Sequence, residues 1–233
     1  MWMNIIGTGN TATIQEETAA IVRKQFHAHV PHVAVQQEFQ NHLSIQNHFP
    51  MTPRVYNQVD HSIRMEYLKG EPLGDLMQYH PFRIWRYMTK MVISQKLLHA
   101  LSIAGLPLLQ ERYPDHDGLV GGTALCHGDF HPYNLLLVKE ELYVIDWMDA
   151  SIGNPLMDVA RTFLLIRYGG RMSLRNPAER ISRFILSHLY RVCYFKRIRK
   201  VTGFKGCLRL CAASRLEEQI TPVESVLLQR FLK

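Results

Sequence analysis

The densest concentration of chemically capable side chains in this 233-residue chain is the stretch CHGDFHPYNLLL, Cys126 to Leu137, where two histidines, an aspartate and an asparagine stand between apolar runs. Its spacing is H-x-D-x-x-x-x-N, carried by His127, Asp129 and Asn134, and Asp146 follows in VIDW. A carboxylate beside a hydroxyl can take its proton, and a separate amide and carboxylate are hard oxygen donors of the kind Mg²⁺ requires. Phosphoryl transfer needs these parts together: one carboxylate at the acceptor, and other oxygens holding Mg²⁺ against the phosphates. With 12 histidines in the chain, chance produces this pattern in about one sequence in a hundred, before Asp146 is required. The competing reading is that His127 and Asp129 cap or staple a turn, as short polar side chains do in loops.

Such residues must be held by elements that bring a loop and a hairpin to one place. The beginning of the chain reads as short strands: Trp2–Ile6, a loop at Gly7-Thr8-Gly9-Asn10, Ala12–Ile14, a turn at Gln15–Thr18, and Ala19–Phe26. Val33–Asn47 has helical rhythm. Pro50 and Pro53 break it, and Arg54–Val59 and Ile63–Leu68 alternate like a hairpin around Asp60-His61-Ser62. Beyond Gly70 come apolar-periodic helices at Leu73–Met77 and Phe82–Ile103, then a polar loop around Tyr113–Gly118. After the quoted stretch, Leu135–Val138 and Leu142–Ile145 form a short hairpin across Lys139-Glu140. The remainder is helical, with starts signed at Asn154-Pro155, Asn176-Pro177 and Thr221-Pro222, the last two followed by a capping-box Glu179 or Glu224. The expected architecture is α+β and two-lobed, with a small antiparallel-sheet lobe over 1–68, a mainly helical lobe over 69–233, and the polar loop facing the cleft between them.

Composition excludes several classes. Hydrophobic residues make up 47% and charged residues 20%, which describes a globular chain able to bury a core. No apolar run approaches the roughly 20 residues that span a bilayer, and MWMNIIGTGN lacks the form of a signal peptide, so the expectation is a cytoplasmic protein with no membrane partner. Cys126, Cys193, Cys207 and Cys211 form no CxxC pair and read as reduced, structural thiols. The net charge of +7 is concentrated between Arg167 and Arg209, where twelve Lys or Arg accompany one acid, Glu179. A solvated basic face explains this most simply, and an anionic substrate or nucleic acid are the sharper alternatives. The segment's aromatics recur at helical spacing, which favours packing over base stacking, and no nucleic-acid motif is present.

HGDFHPYNLLL followed by VIDWMDASIGNPLMDVART resembles the aminoglycoside phosphotransferase and choline kinase superfamily, the small-molecule branch of protein-kinase-like folds. The match is close over Leu125–Leu165 and looser elsewhere, where MEYLKGEPL and AASRLEEQI are also similar. The resemblance implies an ATP- or GTP-dependent, Mg²⁺-requiring kinase acting on a hydroxyl of a small molecule. It makes Asp129 the catalytic base, Asn134 and Asp146 the Mg²⁺ ligands, and His127 and His131 braces of the loop. Asp158 is either the family's buried support for that loop or a first-turn helix acid favoured by the dipole. Lys24 falls where the phosphate-gripping lysine sits, with Glu38 as its ion-pair partner; Arg23 competes, because a one-residue register error exchanges the two. Gly7 and Gly9 fall in the phosphate-covering loop, and the Glu66 carbonyl and Leu68 N–H in the hinge facing the purine. The chain is shorter than is usual for the family, with the deficit expected in the acceptor-binding helices, and its cationic helices do not suit a polycationic aminoglycoside. The alternatives are a catalytically degenerate nucleotide-binding module and a basic nucleic-acid-binding protein.

Overall fold

The computed structural model of the chain describes residues 4–170, 176–196 and 201–232. Strands β1 (Asn4–Thr8), β2 (Ala12–Thr18) and β3 (Ile21–Phe26) are followed by helix α1 (His32–Gln46) and strands β4 (Val55–Val59) and β5 (Ser62–Glu66). The five strands form one antiparallel sheet in the order β1-β2-β3-β5-β4. Alternation along β3 turns Val22, Lys24 and Phe26 to the buried face. Val22 and Phe26 pack there with Ala12, Val55, Ile63, Met65 and Val35 of α1.

The chain then runs through β6 (Glu71–Pro72), α2 (Leu73–Tyr79), α3 (Ile84–His99), α4 (Leu109–Arg112), α5 (Asp117–Val120) and β7 (Ala124–Cys126). Strands β8 (Leu135–Val138) and β9 (Glu141–Val144) form a hairpin with β6 at its edge, and β10 (Ser151–Gly153) pairs with β7. Helices α6 (Pro155–Tyr168), α7 (Pro177–Phe195), α8 (Phe204–Leu216) and α9 (Pro222–Leu228) complete it. Their core gathers Met88, Met91, Leu98, Phe130, Trp147, Val159, Tyr190 and Cys207, and it takes in Ile45 and Phe49 from the end of α1 and beyond. The result is the expected α+β, protein-kinase-like arrangement of a small antiparallel sheet and a mainly helical remainder.

All three signed helix starts are capped. The Asn154 side chain accepts from Leu156 N, Asn176 from Glu179 N, and Thr221 from Glu224 N. Neither glutamate completes a reciprocal box; Glu179 pairs with Arg183 and Glu224 with Arg215 instead.

The first strands differ from the sequence reading. The first two residues of the expected Trp2–Ile6 strand lie outside the described residues. A bulge between Ile5 and Gly7 lets β1 continue to Thr8, so Gly7 is a strand residue paired with Ile14, and the turn is Gly9–Thr11. Nor is Gln15–Thr18 a turn. β2 runs on through these polar, half-buried to exposed residues, where Glu17 pairs with Arg23 and Arg64, and the chain reverses at Ala19-Ala20. Short helical segments replace the expected loop around Tyr113–Gly118.

All four cysteines are free and buried. In the basic segment Tyr190, Tyr194 and Phe204 are buried, as packing requires, whereas Phe184 is exposed beneath the Arg167 guanidinium. Arg171, Arg175, Arg197, Arg199 and Lys200 of that segment lie outside the described residues. Among the described residues no helix is long and apolar enough to cross a membrane.

Candidate active site

β7 delivers the chain directly into His127, which is fully buried. Its Nε2 donates to the Ile145 carbonyl at 3.0 Å, which leaves Nδ1 to accept the Asp129 N–H at 3.2 Å. One imidazole therefore ties the loop to the end of β9. Gly128 has φ +80°, and a Cβ there would collide with the Asp149 carbonyl, so only glycine fits. Asp158 settles its two readings: its Oδ1 accepts the Gly128 N–H at 2.8 Å, and its Oδ2 accepts from Gln95 Nε2 and His99 Nε2, both at 2.9 Å. Burial would raise the Asp158 carboxyl, but the bond to His99 and that ring's charge lead a set of contacts that bring it down to about 2.

Asp129 is the carboxylate the loop leaves within reach, with 29% of its side chain exposed against none for Asp158. Asn134, in the turn before β8, donates from Nδ2 to the Asp129 carbonyl at 2.9 Å and to Asp129 Oδ2 at 3.0 Å. The His131 ring takes the Tyr133 N–H on Nδ1 and sets Nε2 at 3.4 Å from Asp129 Oδ2. Burial would raise the Asp129 carboxyl. The His131 hydrogen bond, with the Arg161 guanidinium behind, outweighs it and holds the group well below the usual carboxylate range. Asp129 is therefore ionised at neutral pH.

Lys24 projects from β3 toward the same place. Its Nζ lies 2.6 Å from Glu38 Oε1 on α1 and 3.0 Å from Asp146 Oδ1. Burial would lower the ammonium, but the Asp146 and Glu38 carboxylates more than offset it and raise the group above its ordinary value. Burial also dominates Glu38, pushing it up to about 7 despite Lys24. Its Oε2 is buried without a hydrogen-bond partner. Arg23 points to the opposite face, 3.5 Å from Glu17. If Lys24 faces the phosphates of a nucleotide, as the resemblance implies, Lys24→Ala is expected to cut nucleotide turnover by about 10²-fold or more, while Arg23→Ala stays within about threefold of wild type because it breaks only a surface pair. Parallel turnover assays check this, and the reverse ranking would assign the phosphate grip to Arg23.

Asp146 has φ +68°, a left-handed conformation that aspartate enters at modest cost and that its surroundings constrain here. The constraint is visible on its C-terminal side. Asn41 of α1 donates to the Trp147 carbonyl at 3.0 Å, and the Trp147 indole donates to Thr52 Oγ1 at 2.8 Å, whose hydroxyl donates to Val144 O. His42 Nε2 donates to Pro53 O at 2.7 Å, and burial pushes that ring down to about 4, so it stays neutral within this buried set. Ile145 joins the halves: its N–H donates to Asn134 O at 3.0 Å while its carbonyl takes His127.

A magnesium ion fits the donor set. Lys24 uses Asp146 Oδ1, and Asn134 is bonded through its amide nitrogen, so Asp146 Oδ2 and Asn134 Oδ1 have no partner among the described residues. Two protein oxygens suffice for Mg²⁺, which keeps waters and takes phosphates for the rest. The described residues contain no group of three His, Cys, Asp or Glu that would make a self-sufficient site.

The remaining sequence candidates are more loosely placed. Gly9 is in the β1–β2 turn, its N–H on Ala12 O and its carbonyl 3.2 Å from His27 Nε2; Gly7 lies inside the strand. Glu66 closes β5, its side chain accepting from Arg54 N, and the Leu68 carbonyl accepts from Gly70 N. Sequence reasoning missed Gln95, His99, Asn41, Thr52 and Arg161. Of these only Arg161 carried a signal, standing one helical turn after Asp158 in DVAR.

Residues 109–186 match the model of the phosphotransferase enzyme family. No curated protein matches the sequence. Among solved structures, an ADP-bound aminoglycoside phosphotransferase APH(2'')-Ib superposes with a TM-score of 0.62 at 13% identity, over 100% of this chain and 92% of that one. The streptomycin–ATP complex of APH(2'')-IIa gives 0.63 at 14%, over 100% and 91%. Choline kinase LicA from Streptococcus pneumoniae gives 0.62 at 15%, over 100% and 92%. Likeness at such low identity is likeness of fold, so the chain has the fold shared by aminoglycoside phosphotransferases and choline kinases and carries, from 109 to 186, the sequence pattern of the phosphotransferase enzyme family.

Proposed function

We propose that the protein is a small-molecule kinase, moving the γ-phosphate of ATP or GTP to a hydroxyl of a small acceptor. Residues 1–68 hold the nucleotide, and residues 69–233 supply the catalytic loop and the acceptor pocket. The observation that carries this reading is the convergence at Ile145, where hydrogen bonds join the Asp129/Asn134 loop to the strand end that presents Asp146 to Lys24 and Glu38. In this reading Asp129 orients the acceptor hydroxyl and takes its proton, and Lys24, held by Glu38, neutralises the phosphates. Asn134 and Asp146 would hold Mg²⁺, which would supply charge stabilisation at the transferred group. Gly9 and Gly7 border the phosphates, and the Glu66 carbonyl and Leu68 N–H face the purine. The ADP and ATP held by two of the similar structures support the nucleotide assignment.

The rim of the loop constrains the acceptor. Two carboxylates beside it are already paired, Asp149 with Arg112 at 2.8 Å and Glu218 with Arg161 at 2.7 Å and Arg215 at 2.5 Å. A polycation would have to displace these guanidiniums to use Asp149 or Glu218, which favours a neutral or singly charged alcohol over an aminoglycoside. The deciding experiment incubates the protein with Mg²⁺, ATP or GTP, and a panel of hydroxylated metabolites that includes choline, streptomycin and gentamicin, and detects phosphorylated product by mass spectrometry. Phosphorylation of an uncharged or singly charged alcohol is expected. Nucleotide binding with no transfer to any acceptor or to water would instead leave a binding module.

A further inference from the structure

Arg161 stands three residues after Asp158 on α6, which places both side chains on one helix face. They grip opposite sides of a single residue. Asp158 accepts the Gly128 N–H, and Arg161 Nε donates to the Gly128 carbonyl. Gly128 lies between His127 and Asp129 at φ +80°, and glycine imposes little barrier to rotation of the peptide that leads into Asp129. The direction of that peptide, and of the Asp129 side chain after it, therefore depends on what holds its two ends: His127 Nδ1 takes the Asp129 N–H at 3.2 Å, and Arg161 holds the carbonyl.

The rest of the Arg161 guanidinium is committed as well. It is buried at 6% exposure, with Nη1 2.7 Å from Glu218 Oε1 and Nη2 3.8 Å from Asp149 Oδ2. Glu218 also takes Arg215 Nη1 at 2.5 Å, and Arg215 Nε reaches the buried Glu224 of α9 at 2.8 Å. A continuous set of ion pairs thus runs from the C-terminal helices to the carbonyl beside Asp129. We infer that Arg161 is a positioning residue for phosphoryl transfer, fixing the angle of Asp129 through the Gly128 carbonyl, and that Glu218 is the anchor that keeps it turned to the loop. The inference rests on the reading of Asp129 as the base that meets the acceptor.

Lysine cannot substitute, because its single ammonium cannot reach the carbonyl, Glu218 and Asp149 in one planar fork. The test compares Arg161→Gln, Arg161→Lys and Glu218→Gln by phosphate release from Mg²⁺–nucleotide with water as acceptor, by nucleotide KM, and by amide hydrogen exchange of residues 127–130 in the ligand-free protein. For both Arg161 variants we expect kcat to fall about 10- to 100-fold, the scale of a small misplacement of a reacting group. KM should change little, and exchange in 127–130 should quicken. Glu218→Gln should shift kcat and exchange in the same direction by less. A folded Arg161→Gln or Arg161→Lys protein with wild-type kcat and loop exchange would overturn the inference. If both fail to fold, Glu218→Gln decides, since that side chain is one-third exposed and tolerates change; wild-type kcat and exchange in it would overturn the anchor and the positioning role together. Turnover that survives in Asp129→Asn would instead remove the base reading, an outcome distinct from any of these.

Discussion

Asp146→Asn is expected to abolish Mg²⁺-dependent nucleotide turnover while leaving the melting temperature within a few degrees of wild type. The two halves of this expectation have separate causes. Asparagine tolerates the left-handed conformation at φ +68° about as well as aspartate does, so the substitution adds no backbone strain that alanine would introduce. Lys24 keeps Glu38 at 2.6 Å, so the buried ammonium is not stranded. What disappears is the only carboxylate among the two oxygens that would hold the metal. A metal clamp supplies several kcal/mol at the transferred phosphoryl group, which corresponds to a loss of at least about 10³-fold in rate. Turnover measured across a magnesium titration, beside a thermal melt, checks both halves. Unchanged turnover at saturating Mg²⁺ would remove Asp146 from the metal site and take the proposed mechanism with it.

Much of this site was legible in the sequence because its chemistry is local. His127, Asp129 and Asn134 lie within one loop whose spacing is itself the signal, and Asp146 follows a hairpin too short to be mistaken. The capped helix starts were legible for the same reason, since Asn154, Asn176 and Thr221 bond backbone two or three residues away. Lys24 could be ranked above Arg23 only through strand alternation, which the structure displays as opposite faces of β3. The N-terminal strand ends were misread because the polar run Gln15, Glu16, Glu17 and Thr18 lies on a strand partly open to solvent on both faces, and polarity alone does not distinguish such a strand from a turn. Of the supports of the loop only Asp158 was named, through the resemblance, and its partners and the other supports were not legible. Asp158 meets His99 across 59 residues, Gln95 across 63 and Gly128 across 30, and Asn41 meets Trp147 across 106. Nothing in the spacing of a single sequence encodes such meetings, which arise only when α1, α3 and α6 are packed around the loop.

Asp129→Asn separates the catalytic reading of the loop from the structural one more cleanly than any other change. The amide is nearly the size of the carboxylate and keeps an oxygen to accept from Asn134 Nδ2, so the 3.0 Å contact and the loop's shape should survive. The side chain is partly exposed and not a core element, and the loop's fixed points, His127 on Ile145 O and Asp158 on Gly128 N, are untouched. Nucleotide affinity and melting temperature should therefore stay near wild type. Transfer should not, because the amide cannot accept the acceptor's proton, and general-base steps contribute about 10²–10⁴-fold. A merely turn-capping Asp129 would give the opposite pair of results, a lowered melting temperature with normal activity per folded molecule. Nucleotide affinity, melting temperature and turnover measured on the one variant distinguish these outcomes. Normal turnover in a stably folded Asp129→Asn protein would mean that the crowd of polar groups between Cys126 and Leu137 holds a turn and nothing more.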